Sequence, residues 1–130
     1  MAPHPGLTER TGRFSRGDRV LKRPEYQSIY QRCAPMYTEH LVFYACPGQA
    51  GRRRLGCTVP KKVGKAVVRN RVKRLCREAF RRTRAALPEG CTLVVNAKRS
   101  AAELTFAKAV NAFSRIAERL DREGFPPCAA

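Results

Sequence analysis

KKVGKAVVRNRVKRLCREAFRRT, residues 61–83, decides how the chain is read. From about Val68 to Thr83, the residues Val68, Val72, Leu75, Cys76, Ala79 and Phe80 recur at the 3.6-residue period of a helix and form one apolar stripe. Arg71, Lys73, Arg74, Arg77, Arg81 and Arg82 cover the other side, and Lys61, Lys62, Lys65 and Arg69 precede them. Glu78 is the one acid in the stretch. Cations of a single sign cannot be satisfied by ion pairs one helical turn apart, so this face calls for an external anion. Arginine predominates, and its planar fork grips phosphate oxygens and stacks on bases, which favours RNA over a membrane surface. The alternative is a merely solvated helix face.

Upstream, Lys61 to Val67 reads as a glycine-containing basic connection. Arg54 to Val59 reads as a strand with Leu55, Cys57 and Val59 on one face, ended by Pro60, which cannot donate to a ladder. His40 to Cys46 reads as another strand, with Leu41, Phe43 and Ala45 opposite Val42, Tyr44 and Cys46. A first helix runs from Arg23 or Pro24 to Arg32, with Tyr26, Ile29, Tyr30 and Cys33 sharing a face. Downstream, Leu87 to Gly90 breaks the chain and Cys91 to Ala97 reads as a buried strand. A last helix follows, capped by Ser100 or Thr105, with Phe106, Val110, Phe113, Ile116, Ala117 and Leu120 inward, and Gly124 ends it. The order is helix, strand, strand, helix, strand, helix, with room for one more short strand. Residues 1–13 read as a flexible basic arm, 14–123 as one α/β domain and 124–130 as a disordered tail.

The chain has 130 residues, and 27 Lys+Arg against 10 Asp+Glu give a net charge of +17. With 43% hydrophobic residues it can bury one modest core, so it is a folded cation rather than a disordered tail. The usual reason to tolerate such self-repulsion is a polyanionic partner. There is no apolar run long enough to cross a membrane and no apolar segment after the N-terminus of the kind secretion uses, so a cytoplasmic location is expected. Of the six cysteines, Cys46, Cys57, Cys76 and Cys91 sit in apolar patterns and read as core, whereas Cys33 and Cys128 read as free thiols in loop or tail. No Cys-x-x-Cys pair, no Asp-x-Asp or Glu-x-x-His pair and no phosphate-binding P-loop is present, so neither a metal centre nor protein-borne catalysis is expected.

Tyr26, Tyr30 and Tyr44 stand open to two readings: core aromatics, or a groove on which unpaired bases stack. Tyrosine at all three positions leaves hydroxyls in need of water or a partner, which tilts the balance towards a surface.

The run Val63 to Phe80, with Arg69-Asn70-Arg71 at its centre, closely resembles the Arg-Asn-Arg signature of the bacterial ribonuclease P protein subunit. The preceding Arg54 to Lys62 (RLGCTVPKK), Pro24 to Tyr30 (PEYQSIY) and Leu41 to Tyr44 (LVFY) are similar in the same order, and the likeness extends from about Phe14 to Leu120. The resemblance implies a two-layer α/β (α+β) sandwich with a mixed sheet of about four strands and three helices. It also implies a left-handed βαβ crossover, as in the fifth protein of the small ribosomal subunit. The activity it implies is that of a protein component of an RNA-catalysed endoribonuclease, which removes the 5′ leader of precursor tRNA and leaves a 5′-phosphate. Its partners would be the catalytic RNA subunit and precursor tRNA, with no DNA, membrane or obligate protein partner, and with magnesium held mainly by the RNA. On this likeness Tyr26, Tyr30, Tyr44, Thr58, Pro60 and Lys61 would line the leader cleft. Lys62, Lys65, Arg69, Asn70, Arg71, Lys73, Arg74 and Arg77 would face RNA, with Asn70 alternatively bracing the helix start. Three positions depart from the family: Tyr26 and Tyr30 stand where Phe is frequent, and Pro60 stands where a small residue is usual. A structural RNA-binding protein of ribosomal type is the alternative function.

Overall fold

A computed structural model describes residues 23–48 and 52–125. Its organising element is Cys91–Ala97, the last strand of the chain, which holds the middle of a four-stranded sheet together. In chain order the elements are α1 (Arg23–Arg32), β1 (Pro35–Tyr37), β2 (Leu41–Pro47), β3 (Arg54–Thr58), α2 (Ala66–Thr83), β4 (Cys91–Ala97) and α3 (Phe106–Glu123). The strands lie in the order β1-β2-β4-β3. β4 pairs antiparallel with β2 and parallel with β3, so α2 is the crossover between two parallel neighbours. β1, Pro35–Tyr37, is the extra short strand and lies at the edge.

Alternation along the strands assigns the two faces. Leu41, Phe43 and Ala45 of β2, Leu55 of β3 and Leu93, Val95 and Ala97 of β4 join Val72, Cys76, Ala79 and Phe80 of α2 and Phe113, Ile116 and Leu120 of α3 in one core. Phe43 meets Phe113 edge-on, ring centroids 5.0 Å apart, the arrangement that the aromatic quadrupole favours. On the opposite face a smaller cluster of Ile29, Cys33, Cys46 and Val94 seats α1 on the sheet. The expected mixed sheet of four strands with three helices is what forms, and α1 covers only part of its own face.

Several details differ from the sequence reading. α2 begins at Ala66 rather than Val68: Lys65 takes the capping position with no side-chain bond, so no Ser or Asp marks the start. Within the connection before it, Lys61–Val63 form a 3₁₀ turn, and Gly64 bridges the two with φ 156°, a backbone geometry suited to glycine. Cys33 lies one residue past α1 and is buried. Phe106 is exposed; it occupies the first position of α3, where Ala109 and Ala112 supply the inward contacts, and the Arg82 guanidinium lies 5.2 Å from its ring centroid. The cap is Thr105, whose Oγ1 accepts from the Lys108 N–H. Ser100 lies in a 3₁₀ turn, Arg99–Glu103. Gly124 ends α3 in the left-handed region, φ 75°, but Phe125 beyond it packs against the main core rather than starting a free tail. The expected arm, the rest of the expected tail and Cys128 lie outside the described residues.

Candidate nucleic-acid interface

The uncovered part of the α1 face forms a cleft floored by the sheet. Pairing in register puts Val42, Asn96 and Thr58 in one row across β2, β4 and β3, and Tyr44, Val94 and Gly56 in the next. α1 forms the wall: Tyr26 and Tyr30, four residues apart, point from one helix face towards this floor. The three tyrosines form a continuous aromatic cluster. Tyr30 lies 6.4 Å from Tyr26 and 5.0 Å from Tyr44 by ring centroids, the second pair nearly edge-on. All three are half-buried, so the groove reading and the core reading each hold in part: one flank of each ring packs on the small cluster and the other meets solvent.

The Tyr30 phenol is fixed by polar partners. The Tyr30 hydroxyl donates to Asn96 Oδ1 at 2.7 Å and lies 3.3 Å from Thr58 Oγ1. Burial raises Tyr26 above the usual phenol value, helped by nearby Cys57 and Tyr30, and burial raises Tyr44 in the same way. These groups therefore stay neutral at physiological pH and present hydrogen-bonding aromatic edges rather than charge.

Sequence reading missed Asn96, although a lone amide in an otherwise apolar strand was a signal that its side chain has a partner. It also passed over Tyr37. The register places Tyr37 beside Val42 on the cleft side of the sheet, 69% exposed, with Lys98 Nζ 5.6 Å from its ring centroid.

The cations flank the cleft on its β3 side. Half-buried Pro60 opens the 3₁₀ turn, and Lys61 and Lys62 on that turn are exposed. Lys65, Asn70 and Arg74 are exposed, while Arg69, Lys73 and Arg77 are partly buried. Arg69 is braced, its Nε donating to the Gly64 carbonyl at 3.1 Å. Arg77 and Lys73 lie near β3: the Cys57 thiol is held below its usual value first by its hydrogen bond with Cys76, and burial opposes this. Charge from Arg77 and then Lys73 adds to the lowering.

Two expectations for this helix change. Arg71 turns inward: its Nη1 donates to the Leu104 carbonyl at 2.8 Å and its Nη2 to the Ala102 carbonyl at 2.7 Å, so it ties α2 to the turn before α3. Asn70 is exposed in the second turn, while Lys65 holds the cap, so Asn70 does not brace the helix start. Among the described residues no three His, Cys, Asp or Glu side chains sit where they could hold a metal ion. No helix among them is long and apolar enough to cross a membrane.

An aromatic, neutral, hydrogen-bonding cleft beside a helix whose charges are nearly all positive defines a basic α/β protein of the nucleic-acid-binding class. The family description Ribonuclease P matches residues 14–121. The chain is 41% identical over 110 residues to the ribonuclease P protein component of Desulfovibrio desulfuricans, covering 80% of this chain and 83% of the relative. It is 38% identical over 110 residues to that of Vibrio vulnificus, covering 84% and 92%. The fold is similar to the RNase P protein of Staphylococcus aureus, with TM-score 0.70, 27% identity, and 83% of this chain and 97% of that one covered. The likeness to the Thermotoga maritima RNase P protein is comparable, with TM-score 0.70, 28% identity and coverage of 78% and 96%. The chain belongs to the ribonuclease P protein family.

Proposed function

We propose that this chain is the protein subunit of a ribonucleoprotein endonuclease that removes the 5′ leader from precursor tRNA. The single observation that carries the reading is the tyrosine cleft, with Tyr30 locked to Asn96 and flanked on its β3 side by exposed cations. Stacking on Tyr26, Tyr30 and Tyr44 accepts any base, as a leader of varied sequence requires, and Thr58, Pro60 and Lys61 continue the path towards the cationic helix. Lys62, Lys65, Arg69, Asn70, Lys73, Arg74 and Arg77 contact the catalytic RNA through its phosphates, positioning it without reading sequence. Arg71 supports that helix from behind.

The chemistry belongs to the RNA subunit in this reading. Magnesium held by the RNA would supply an activated water for the hydrolysis. What the chain contributes is binding energy for the leader and screening of phosphate repulsion in the RNA. The partners are the catalytic RNA and precursor tRNA, no protein partner is required, and the compartment is the cytoplasm.

The test is cleavage of a precursor tRNA at low magnesium by the matching catalytic RNA, with and without this protein. Protein-dependent release of the intact leader, leaving a 5′-phosphate, is the expected result. Tight RNA binding with unchanged rate and unchanged magnesium requirement would transfer the assignment to a structural RNA-binding protein.

A further inference from the structure

The floor of the tyrosine cleft does not end at β2. Paired residues on neighbouring strands face the same side of a sheet, so Tyr37 on β1 continues the row of Val42, Asn96 and Thr58 out to the edge, and Pro35 continues the row of Tyr44 and Val94. The alternation of β1 agrees, with Pro35 and Tyr37 exposed and Met36 buried between them. Strands lie about 4.8 Å apart, which puts Tyr37 roughly 14 Å from Thr58 across the floor.

The chain has four tyrosines, and all four lie on this face, while Phe43, Phe80 and Phe113 fill the core on the other. Tyr44 links Tyr37 to the cluster: burial raises its phenol first, and Tyr37 and then Tyr30 add to the rise. Tyr37 differs from the other three in packing into neither apolar cluster; at 69% exposure it is the most exposed aromatic among the described residues.

Its ring is nonetheless held. The Lys98 ammonium stands over it, 5.6 Å from the centroid, and is fixed in turn by donating to the Thr38 carbonyl at 2.6 Å. A cation on one face of the ring braces it and leaves the other face to solvent. Ordering a side chain that gains no burial costs rotamer freedom, and a ring already oriented spends less of that freedom on a stacked ligand.

We propose that Tyr37 is a distal stacking position on the leader path, taking an unpaired nucleobase beyond those that reach Tyr30 and Tyr44, with Lys98 as the positioning residue for its ring. The inference rests on the reading of the cleft as the leader site. It gives the strand a direction: in beside the cationic helix at the β3 edge and out over the β1 edge. Stacked bases advance about 3.4 Å each, so the span from Thr58 to Tyr37 takes at most about four of them. A short leader stops before Tyr37.

The experiment measures the affinity of the holoenzyme, assembled with the matching catalytic RNA, for precursor tRNAs whose leaders lengthen one nucleotide at a time. Tyr37→Ala should leave the shortest leaders unaffected and weaken long ones by about fivefold or more, the loss beginning at a longer leader than the loss in Tyr30→Ala. Tyr37→Phe should bind as the wild type does, and Lys98→Met should show a smaller loss at the same lengths as Tyr37→Ala. Unchanged thermal midpoints verify the fold of both Tyr37 variants. A Tyr37→Ala loss equal at every length, or none at any length while Tyr30→Ala keeps its own, overturns the distal position and leaves the cleft reading standing. A change in oligomeric state without a length-dependent loss overturns it in favour of a second copy of the chain at this edge. No length dependence in either variant removes the leader from the cleft, and the distal position with it.

Discussion

Arg54 on β3 grips Glu25 on α1 with both ends of its guanidinium, Nη1 to Oε2 at 2.5 Å and Nη2 to Oε1 at 2.8 Å. This bidentate pair spans the face of the sheet and fixes the N-terminal end of α1, one residue before Tyr26. The rest of α1 is seated by only a small apolar cluster. The wall of the cleft is therefore held partly by charge, and the carboxylate keeps the Arg54 guanidinium protonated above its usual range.

Glu25→Gln should leave global stability within about 1 kcal/mol, because the pair is partly solvated. Its effect should concentrate in α1, where amide hydrogen exchange speeds up while exchange in β4 stays unchanged. Uniform acceleration across the sheet would show that the pair supports the whole fold rather than the wall.

Tyr30 separates stacking from hydrogen bonding. Tyr30→Ala should weaken binding of leader-bearing precursor by roughly tenfold or more, since a base stack contributes about 1–3 kcal/mol, and should leave mature tRNA binding nearly unchanged. Tyr30→Phe should retain most of the affinity and lose about 1 kcal/mol of stability through the missing bonds to Asn96 and Thr58. Equal losses for precursor and mature tRNA would remove the leader from the cleft.

Arg71 and Arg74 sit three residues apart and should behave oppositely. Arg71→Ala should cost about 2 kcal/mol in chemical denaturation, because the carbonyls of Ala102 and Leu104 lose charged donors, and should leave the salt dependence of RNA binding unchanged. Arg74→Ala should leave stability alone and reduce that salt slope by about 1.

Gly48 lies where no side chain fits. Its N–H donates to the Gly90 carbonyl at 2.6 Å, and an added Cβ would stand 2.2 Å from Thr92 Oγ1. Gly48→Ala should destabilise by about 2 kcal/mol through overpacking. Adding Thr92→Ala should recover most of the loss in the double variant, whereas additive losses would place the strain elsewhere.

Alkaline stability should fall early. Burial, aided by Cys46, pushes the Cys91 thiol up to about 12 from an ordinary 9.0. The folded state keeps a proton that the unfolded chain releases, so this contribution is complete below pH 9 and is lost as pH rises towards 12, on the order of 1 kcal/mol per pH unit. Cys91→Ala should flatten the decline between pH 9 and 10 in denaturant titrations. Cys76, raised by its hydrogen bond with Cys57 and by burial, and the raised phenols of Tyr26 and Tyr44 leave a residual slope in that variant.

The elements whose burial is periodic were legible. The Val72, Cys76, Ala79 and Phe80 stripe and the run Cys91–Ala97 carry enough apolar contrast to name α2 and β4 from residues alone. What escaped depended on partners distant in sequence. Arg71 looks like its neighbours on a helical wheel, and only the turn at Ala102–Leu104 converts it into an anchor. Phe106 fits the period of α3, but at the first position of the helix it meets Arg82 instead of the core. Cys33 does lie one residue past α1, but nothing local revealed that it packs with Val94 and Cys46. Within the cleft, Tyr26, Tyr30 and Tyr44 stand out by residue type and Thr58 only through the family likeness, while Asn96 emerges only when β4 is laid beside β3.

The segment from β3 through the Lys61–Val63 turn to α2 carries Thr58 of the cleft floor and Arg69 of the cationic helix on one uninterrupted stretch. Its turn is closed by the Val63 N–H to the Pro60 carbonyl and the Gly64 N–H to the Lys61 carbonyl, both 3.1 Å. The interval between the two surfaces behaves as a ruler: a strand gripped at one end is presented at a set distance from whatever the helix holds. Lengthening that turn by one residue would therefore alter where a long molecule is measured off, before it altered how tightly the molecule is held.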